Sequence, residues 1–186
     1  NQSGAGDIYL MELGIALSDE GLWENALKIV GDIESDDIRD TLIRIIATDL
    51  IHKALVEQAL KLVETIEDRW ERDQIYKELI KNLLEKGEYE RVHEYIGFME
   101  NAEIKSITNK EISLSYLKDG KLQRAEDHAL KARELAEKSK KDSVKLEILE
   151  VVIAIEGKEP ALSLVKDMDT LEEKAIGFGI IAAESF

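Results

Sequence analysis

Four segments of this chain align at a constant spacing of 33 residues: GLWENAL at Gly21–Leu27, ALVEQAL at Ala54–Leu60, GEYERVH at Gly87–His93 and GKLQRAE at Gly120–Glu126. A fifth copy, GKEPAL, begins at Gly157 after an interval of 37 residues. The four extra residues are about one helical turn, and we expect them at the end of the helix that contains KLQRAEDHALKARELAEKSKK. Self-similarity at this period predicts a chain built from one repeated pair of elements.

Each row of this alignment contains two stretches with the period of a helix. In the second row, RDTLIRIIATDLIHKA and VEQALKLVETI each place their apolar residues on a single stripe. Gly21 and its equivalents stand between the two stretches, where a tight turn requires a small residue or a left-handed backbone. No segment has the alternation typical of a strand. The sequence therefore predicts five helix pairs and an eleventh helix, with capping residues between rows at Ser35, Asp36, Asp68, Asn101, Asp169 and Thr170.

The Gly-x-aromatic-x-x-Ala step and the small residue seven positions before the turn resemble the tetratricopeptide repeat, whose unit has 34 residues. The third row departs from that pattern at Ile80 and Val92, and no row carries the closing Pro of the family. The resemblance implies an all-α fold, a right-handed α-α superhelix of about five hairpins plus a terminal helix. The first row matches at Leu10, Leu13, Gly14, Leu17, Gly21, Trp23, Ala26, Val30 and Ile33.

The alignment also predicts how the chain is divided. We expect a disordered segment over residues 1–6 and a single repeat domain over residues 7–186. The predicted repeats cover residues 7–39, 40–72, 73–105, 106–142 and 143–174, and the terminal helix covers residues 171–186.

Composition excludes several classes of protein. The 186 residues include 25 basic and 40 acidic side chains, for a net charge of −15, and no Cys. A disulfide framework is impossible without Cys, and this charge repels the phosphate backbone of nucleic acids. The longest apolar stretch, AIGFGIIAA at Ala175–Ala183, is shorter than the roughly 20 residues that span a membrane. We expect a cytoplasmic protein that binds neither nucleic acid nor membrane; its abundant Glu and Lys are typical of thermophiles.

Residues that could carry chemistry do not converge in the sequence. His52, His93 and His128 fall in three different predicted helices, and the zinc motif H-E-x-x-H would need His where Gly97 stands. The segment GFGIIA at Gly177–Ala182 spells G-x-G-x-x-A, but the strand that must precede a dinucleotide-binding motif is missing. We therefore predict no catalytic, cofactor-binding or metal-binding residues, no cofactor, and a protein that is not an enzyme.

A row of cations recurs at one position of the first helices. The resemblance implies that this position faces the concave surface, and it reads Met11, Arg44, Lys77, Lys110 and Glu147. Such a strip would attract an acidic or extended peptide segment of a partner protein. Alternatively, these cations pair with nearby carboxylates such as Glu78, Glu111 and Glu147. The candidate peptide-binding residues are Arg44, Lys77, Lys81, Asn109 and Lys110.

Both ends of the chain are apolar. The N-terminal segment IYLMELGIAL contains Glu12 as its only charge, and AIGFGIIAAESF distributes large apolar residues around a helix. A helix that is apolar on all sides is buried on all sides. The chain is therefore expected either to form a homo-oligomer through its C-terminal helix or to be a regulatory or sensor module of a larger protein. The self-association candidates are Ile176, Phe178, Ile180, Ile181 and Phe186.

Overall fold

The computed structural model describes residues 2–183, with side chains over residues 4–183. This range folds into twelve α-helices without a strand, which confirms the all-α prediction. The helices are α1 (Gln2–Asp19), α2 (Trp23–Val30), α3 (Asp36–His52), α4 (Val56–Val63), α5 (Arg69–Glu85), α6 (Tyr89–Phe98), α7 (Ala102–Lys118), α8 (Leu122–Lys138), α9 (Asp142–Glu147), α10 (Leu149–Glu156), α11 (Lys158–Lys166) and α12 (Leu171–Ala183).

A residue with positive φ stands in each tight turn between paired helices. Gly21, Gly87, Gly120 and Gly157 have φ values of 79°, 71°, 70° and 92°. Ala54 adopts the same conformation with a φ of 62°, although its Cβ makes this region unfavourable. The repeated small residue of the sequence therefore marks these turns, as predicted. The pairs that pack together are α1 with α2, α3 with α4, α5 with α6, α7 with α8, and α10 with α11.

Side-chain caps begin the first helix of several pairs. Asp68 Oδ1 accepts a hydrogen bond from the Glu71 amide at 2.9 Å. Asn101 Oδ1 accepts from the amides of Glu103 and Ile104 at 3.0 and 3.1 Å. These caps confirm the prediction at two inter-row positions. Ser35 makes no side-chain cap.

The four extra residues of the fourth interval lie where the sequence predicts them. Helix α8 has 17 residues, whereas α2 and α4 have 8 each and α6 has 10. The additional turns bury Ala132 and Ala136, which belong to the apolar core formed by α8 to α12.

The first helix of the fifth pair is divided, which makes twelve helices where the sequence predicts eleven. Helices α9 and α10 are separated by Ile148, whose φ and ψ are −95° and −4°. Fifteen residues separate Asp142 from Gly157, whereas fourteen separate Asp7 from Gly21. One extra residue rotates a straight helix by about 100°. The irregularity at Ile148 absorbs this rotation, so that both ends keep their orientation.

The chain divides into two compact units, residues 1–98 and residues 99–186, where the sequence predicts one domain over residues 7–186. Contacts in each unit link helices that are neighbours or next neighbours in sequence, so each unit builds its own core. The core of the first unit includes Leu42, Ile46, Leu50, Ile75 and Leu79, and that of the second includes Ala129, Ile148, Leu149, Val152 and Leu164.

Helix α1 extends over most of the segment that the sequence predicts to be disordered. It begins at Gln2, so residues 2–6 are helical, while Asn1 lies outside the described residues. Asp7 fixes this part of the helix because its carboxylate accepts hydrogen bonds from the amides of Glu34 and Ser35, at 3.2 and 2.9 Å. A helix anchored at Asp7 gains backbone hydrogen bonds by continuing towards its N-terminus.

Candidate protein-interaction surfaces

Arg44 lies on α3 in an ion pair within the first unit. Its Nε donates to Glu71 Oε2 on α5, and Thr41 Oγ1 donates to the other carboxylate oxygen at 2.8 Å. The guanidinium carbon lies 6.0 Å from the centre of the Trp70 ring. The two terminal nitrogens of Arg44 have no hydrogen-bond partner among the described residues. Arg44 is therefore held in place by Glu71 and still has donors to offer.

An open cavity of about 280 Å³ lies beside this ion pair. It is lined by Asp37, Thr41, Asp68, Trp70 and Glu71, which belong to the first turns of α3 and α5 and to the residue before α5. Trp70 is 46% exposed, which is high for so large an apolar side chain. Aromatic and arginine side chains are enriched among residues that dominate binding energy at protein interfaces. We call this surface, formed by Asp37, Thr41, Arg44, Asp68, Trp70 and Glu71, the Trp70 surface.

Two further predicted peptide-binding residues lie on α5 of the same unit. Lys77 is half-buried and Lys81 is exposed. Lys81 makes no ion pair among the described residues, so its charge is available at the surface. Arg44, Lys77 and Lys81 thus come from two helices that pack against each other.

The second unit uses its predicted residues internally. Lys110 Nζ on α7 donates to Glu147 Oε1 on α9, which is the pairing that the alternative interpretation of the row predicts. Asn109 is 2% exposed, and its Nδ2 donates to the Lys105 carbonyl at 2.8 Å. Its Oδ1 lies 2.8 Å from Nδ1 of the buried His128. Asn109 is therefore a core residue and cannot reach a bound peptide; we correct that part of the prediction.

The C-terminal helix has one buried and one exposed face. Ile181 is 7% exposed and belongs to the core of the second unit, and Ile180 packs against that core. These two residues are therefore corrected from self-association candidates to core positions. Ile176 and Phe178 remain exposed, at 49% and 43%. Phe186, the fifth candidate, lies outside the described residues.

The groups that could carry metal or nucleotide chemistry are dispersed in the described part of the chain. His52 lies 3.7 Å from Glu78, His93 is exposed and His128 is buried beside Asn109. Over residues 4–183, no three His, Asp or Glu side chains form a group that could hold a metal ion. The segment Gly177–Ala182 lies inside α12, so it does not have the strand-turn-helix geometry of a dinucleotide-binding loop.

A set of aspartates that sequence reasoning missed connects successive helix pairs. Asp7, Asp40 and Asp142 are buried, and each accepts hydrogen bonds from two backbone amides located 27 and 28 residues later. The spacing of 33 residues between Asp7, Asp40 and Asp73 is the signal that could have revealed this role. Trp70 was missed because its exposure depends on the helices around it.

Two remaining observations limit the functional classes. Within residues 2–183, every helix is too short or too polar to cross a membrane. Comparisons with protein-family models, with curated protein sequences and with solved structures find no match to this chain.

Proposed function

We propose that this chain is a non-enzymatic protein-interaction module, an adaptor or scaffold. In this proposal the helix pairs form a right-handed superhelix of tetratricopeptide-like hairpins that binds an extended protein segment and self-associates through α12. The recurring positive-φ turns and the aspartates that bind the following turn support a repeated hairpin. Repeats of this kind present long continuous surfaces to their partners.

The observation that carries the binding proposal is the Trp70 surface. A half-exposed tryptophan, an arginine with free donors and an open cavity lie together on α3 and α5. The ion pair with Glu71 fixes the guanidinium before a ligand arrives, which lowers the entropy cost of binding. Backbone carbonyls of an extended segment would accept from the terminal nitrogens of Arg44, while a side chain packs on Trp70.

The charges of this surface favour one form of the original prediction. Asp37, Asp68 and Glu71 line the cavity, so an acidic side chain would meet like charges there. Arg44 and Lys110 are already paired with Glu71 and Glu147, so they contribute less positive potential than the sequence suggests. We therefore propose an extended segment with a neutral or basic side chain at the cavity.

The binding proposal is tested with short random peptides displayed on phage and selected on the immobilised chain. Selected peptides are synthesised and titrated by fluorescence polarisation. We expect Trp70→Ala and Arg44→Gln to weaken binding by at least about tenfold. The matched controls are Leu122→Ala and Arg124→Gln, which change exposed residues of the second unit and should leave binding unchanged. Circular dichroism confirms that each variant is folded.

Two results would overturn the binding proposal. The first is a selection that yields no peptide binding above background. The second is a set of binding peptides whose affinity is the same for Trp70→Ala as for the unmodified chain.

A second candidate function is a regulatory or sensor module within a larger protein. The exposure of Tyr9 and Leu13 on α1 and of Phe178 on α12 favours it, because flanking parts of a longer polypeptide could cover these side chains. It predicts that the present chain self-associates and that addition of the natural flanking sequence restores a monomer. Light scattering of the two forms separates this alternative from a self-associating adaptor.

A further inference from the structure

The end helices α1 and α12 expose complementary apolar faces. Tyr9 is 72% exposed on α1, with Ile8 and Leu13 beside it. On α12, Phe178 and Ile176 flank the exposed small residues Ala175, Gly179 and Ala182. The only charged side chain over residues 8–16 is Glu12, and residues 175–183 contain none. These are two faces of the kind that proteins bury against a partner.

Positions on α12 correspond to positions on α3. Asp7 binds the amides of Glu34 and Ser35 just before α3, and Asp142 binds those of Asp169 and Thr170 just before α12. Matching Ser35 to Thr170 sets the remaining correspondences. Gly177 and Ile181 then match Leu42 and Ile46, and all four are buried. Phe178 and Ala182 match Ile43 and Ala47, which are buried in α3 but exposed in α12.

The contact between α1 and α3 shows what covers such a face. Leu42 of α3 packs on Gly14 of α1 so closely that a methyl group at Gly14 would lie 2.6 Å from Leu42 Cδ2. Tyr9 precedes Leu42 by 33 residues, and Ala182 is the α12 position that matches Gly14 through Ala47. Leu42 is fully buried in this contact, whereas Tyr9 is the most exposed large side chain of α1.

From these correspondences we infer that α1 of a second copy docks on the exposed face of α12, head to tail, with Tyr9 seated over Ala182 as Leu42 is seated over Gly14. The inference rests on the repeated hairpin and the self-association in the proposed function. The contact continues the packing of one first helix on the preceding first helix. Because it joins two different faces, each copy keeps one free α1 face and one free α12 face after the first contact.

Solution mass tests this inference on the full chain, measured by light scattering from about 1 µM to about 1 mM. The chain should associate as its concentration rises. Tyr9→Glu and Ala182→Glu should each weaken association by at least about tenfold, since each buries a charge in one of the two faces. Phe178→Glu is the second variant on α12. Leu122→Glu is the matched control, because it places a charge on an exposed leucine of α8.

Mixing the two variants decides the geometry. Tyr9→Glu retains an intact α12 face and Ala182→Glu retains an intact α1 face, so together they should form a 1:1 complex that grows no further. A chain that stays monomeric throughout the concentration range would overturn the inference. So would a Tyr9→Glu chain that associates like the unmodified one, because that result requires a symmetric contact through α12. Peptide binding at the Trp70 surface is measured separately, so failure of one proposal is distinguishable from failure of the other.

Discussion

Buried aspartates connect the helix pairs at the scale of single residues. Asp40 accepts the amides of Glu67 and Asp68 on one oxygen, both at 3.0 Å. Its other oxygen is buried without a hydrogen-bond partner. A buried carboxylate that binds two amides satisfies donors at the start of the next helix that would otherwise lose their hydrogen bonds to water. The register between successive helix pairs therefore depends on one side chain per pair.

Asp142 makes this dependence sensitive to pH. Burial by itself raises the pKa of this carboxyl, but the amides of Thr170 and Asp169 together with the Lys145 ammonium outweigh burial and lower the pKa. The stability that this group contributes is thus present above its unfolded pKa of about 3.9 and is lost as pH falls through the lower folded pKa. Asp142→Asn should cost about 2 kcal/mol of unfolding free energy at neutral pH.

Thermal unfolding of the unmodified chain and of Asp142→Asn, followed from neutral pH to below pH ~4, checks this prediction. The difference between the two midpoints should shrink at the acidic end. Asp32→Asn is the control, because Asp32 is exposed and its side chain makes no hydrogen bond or ion pair among the described residues. A midpoint difference that stays constant with pH would contradict the role of the charge.

At the scale of the element, α12 contains two glycines with opposite surroundings. A methyl group at Gly177 would lie 2.6 and 3.1 Å from the two Cγ atoms of Val165. At Gly179 it would meet no atom within 4 Å. Gly177 therefore permits the close packing of α12 on α11, whereas Gly179 only weakens the helix.

Alanine substitutions at these two positions should change stability in opposite directions. Gly177→Ala should destabilise the chain by about 1–2 kcal/mol, because the branched Val165 has little freedom to move. Gly179→Ala should stabilise it by about 1 kcal/mol through helix propensity. Urea unfolding at low protein concentration measures both without a contribution from self-association. Equal effects of the two substitutions would show that α12 does not pack on Val165.

At the scale of the whole molecule, the net charge of −15 opposes contact between copies. The proposed contact is apolar, so added salt should screen the repulsion and leave the attraction intact. We expect the apparent dissociation constant of self-association to fall as NaCl rises from low to moderate concentration. Light scattering at each salt concentration checks this, with Ala182→Glu as the control that stays monomeric. Association that weakens with salt would instead indicate an ionic contact.

Much of the fold could be predicted from the sequence because it depends on residues close along the chain. The helix pairs follow from apolar periodicity within about 18 residues. The left-handed turn residues follow from a recurring glycine, and the longer α8 follows from four inserted residues. The break at Ile148 was also encoded, as the one extra residue between Asp142 and Gly157, but its position required the structure.

The sequence by itself determined the helices, their turns and the apolar character of both end helices, since these are local properties of composition and spacing. Only the tertiary structure decided which side chains are available. Arg44 and Lys110 are paired with carboxylates 27 and 37 residues away, and Asn109 meets a histidine 19 residues later. Helical periodicity places a residue on a face but does not say what packs against that face. The tertiary fold brings those partners together, and it leaves Trp70 at the surface.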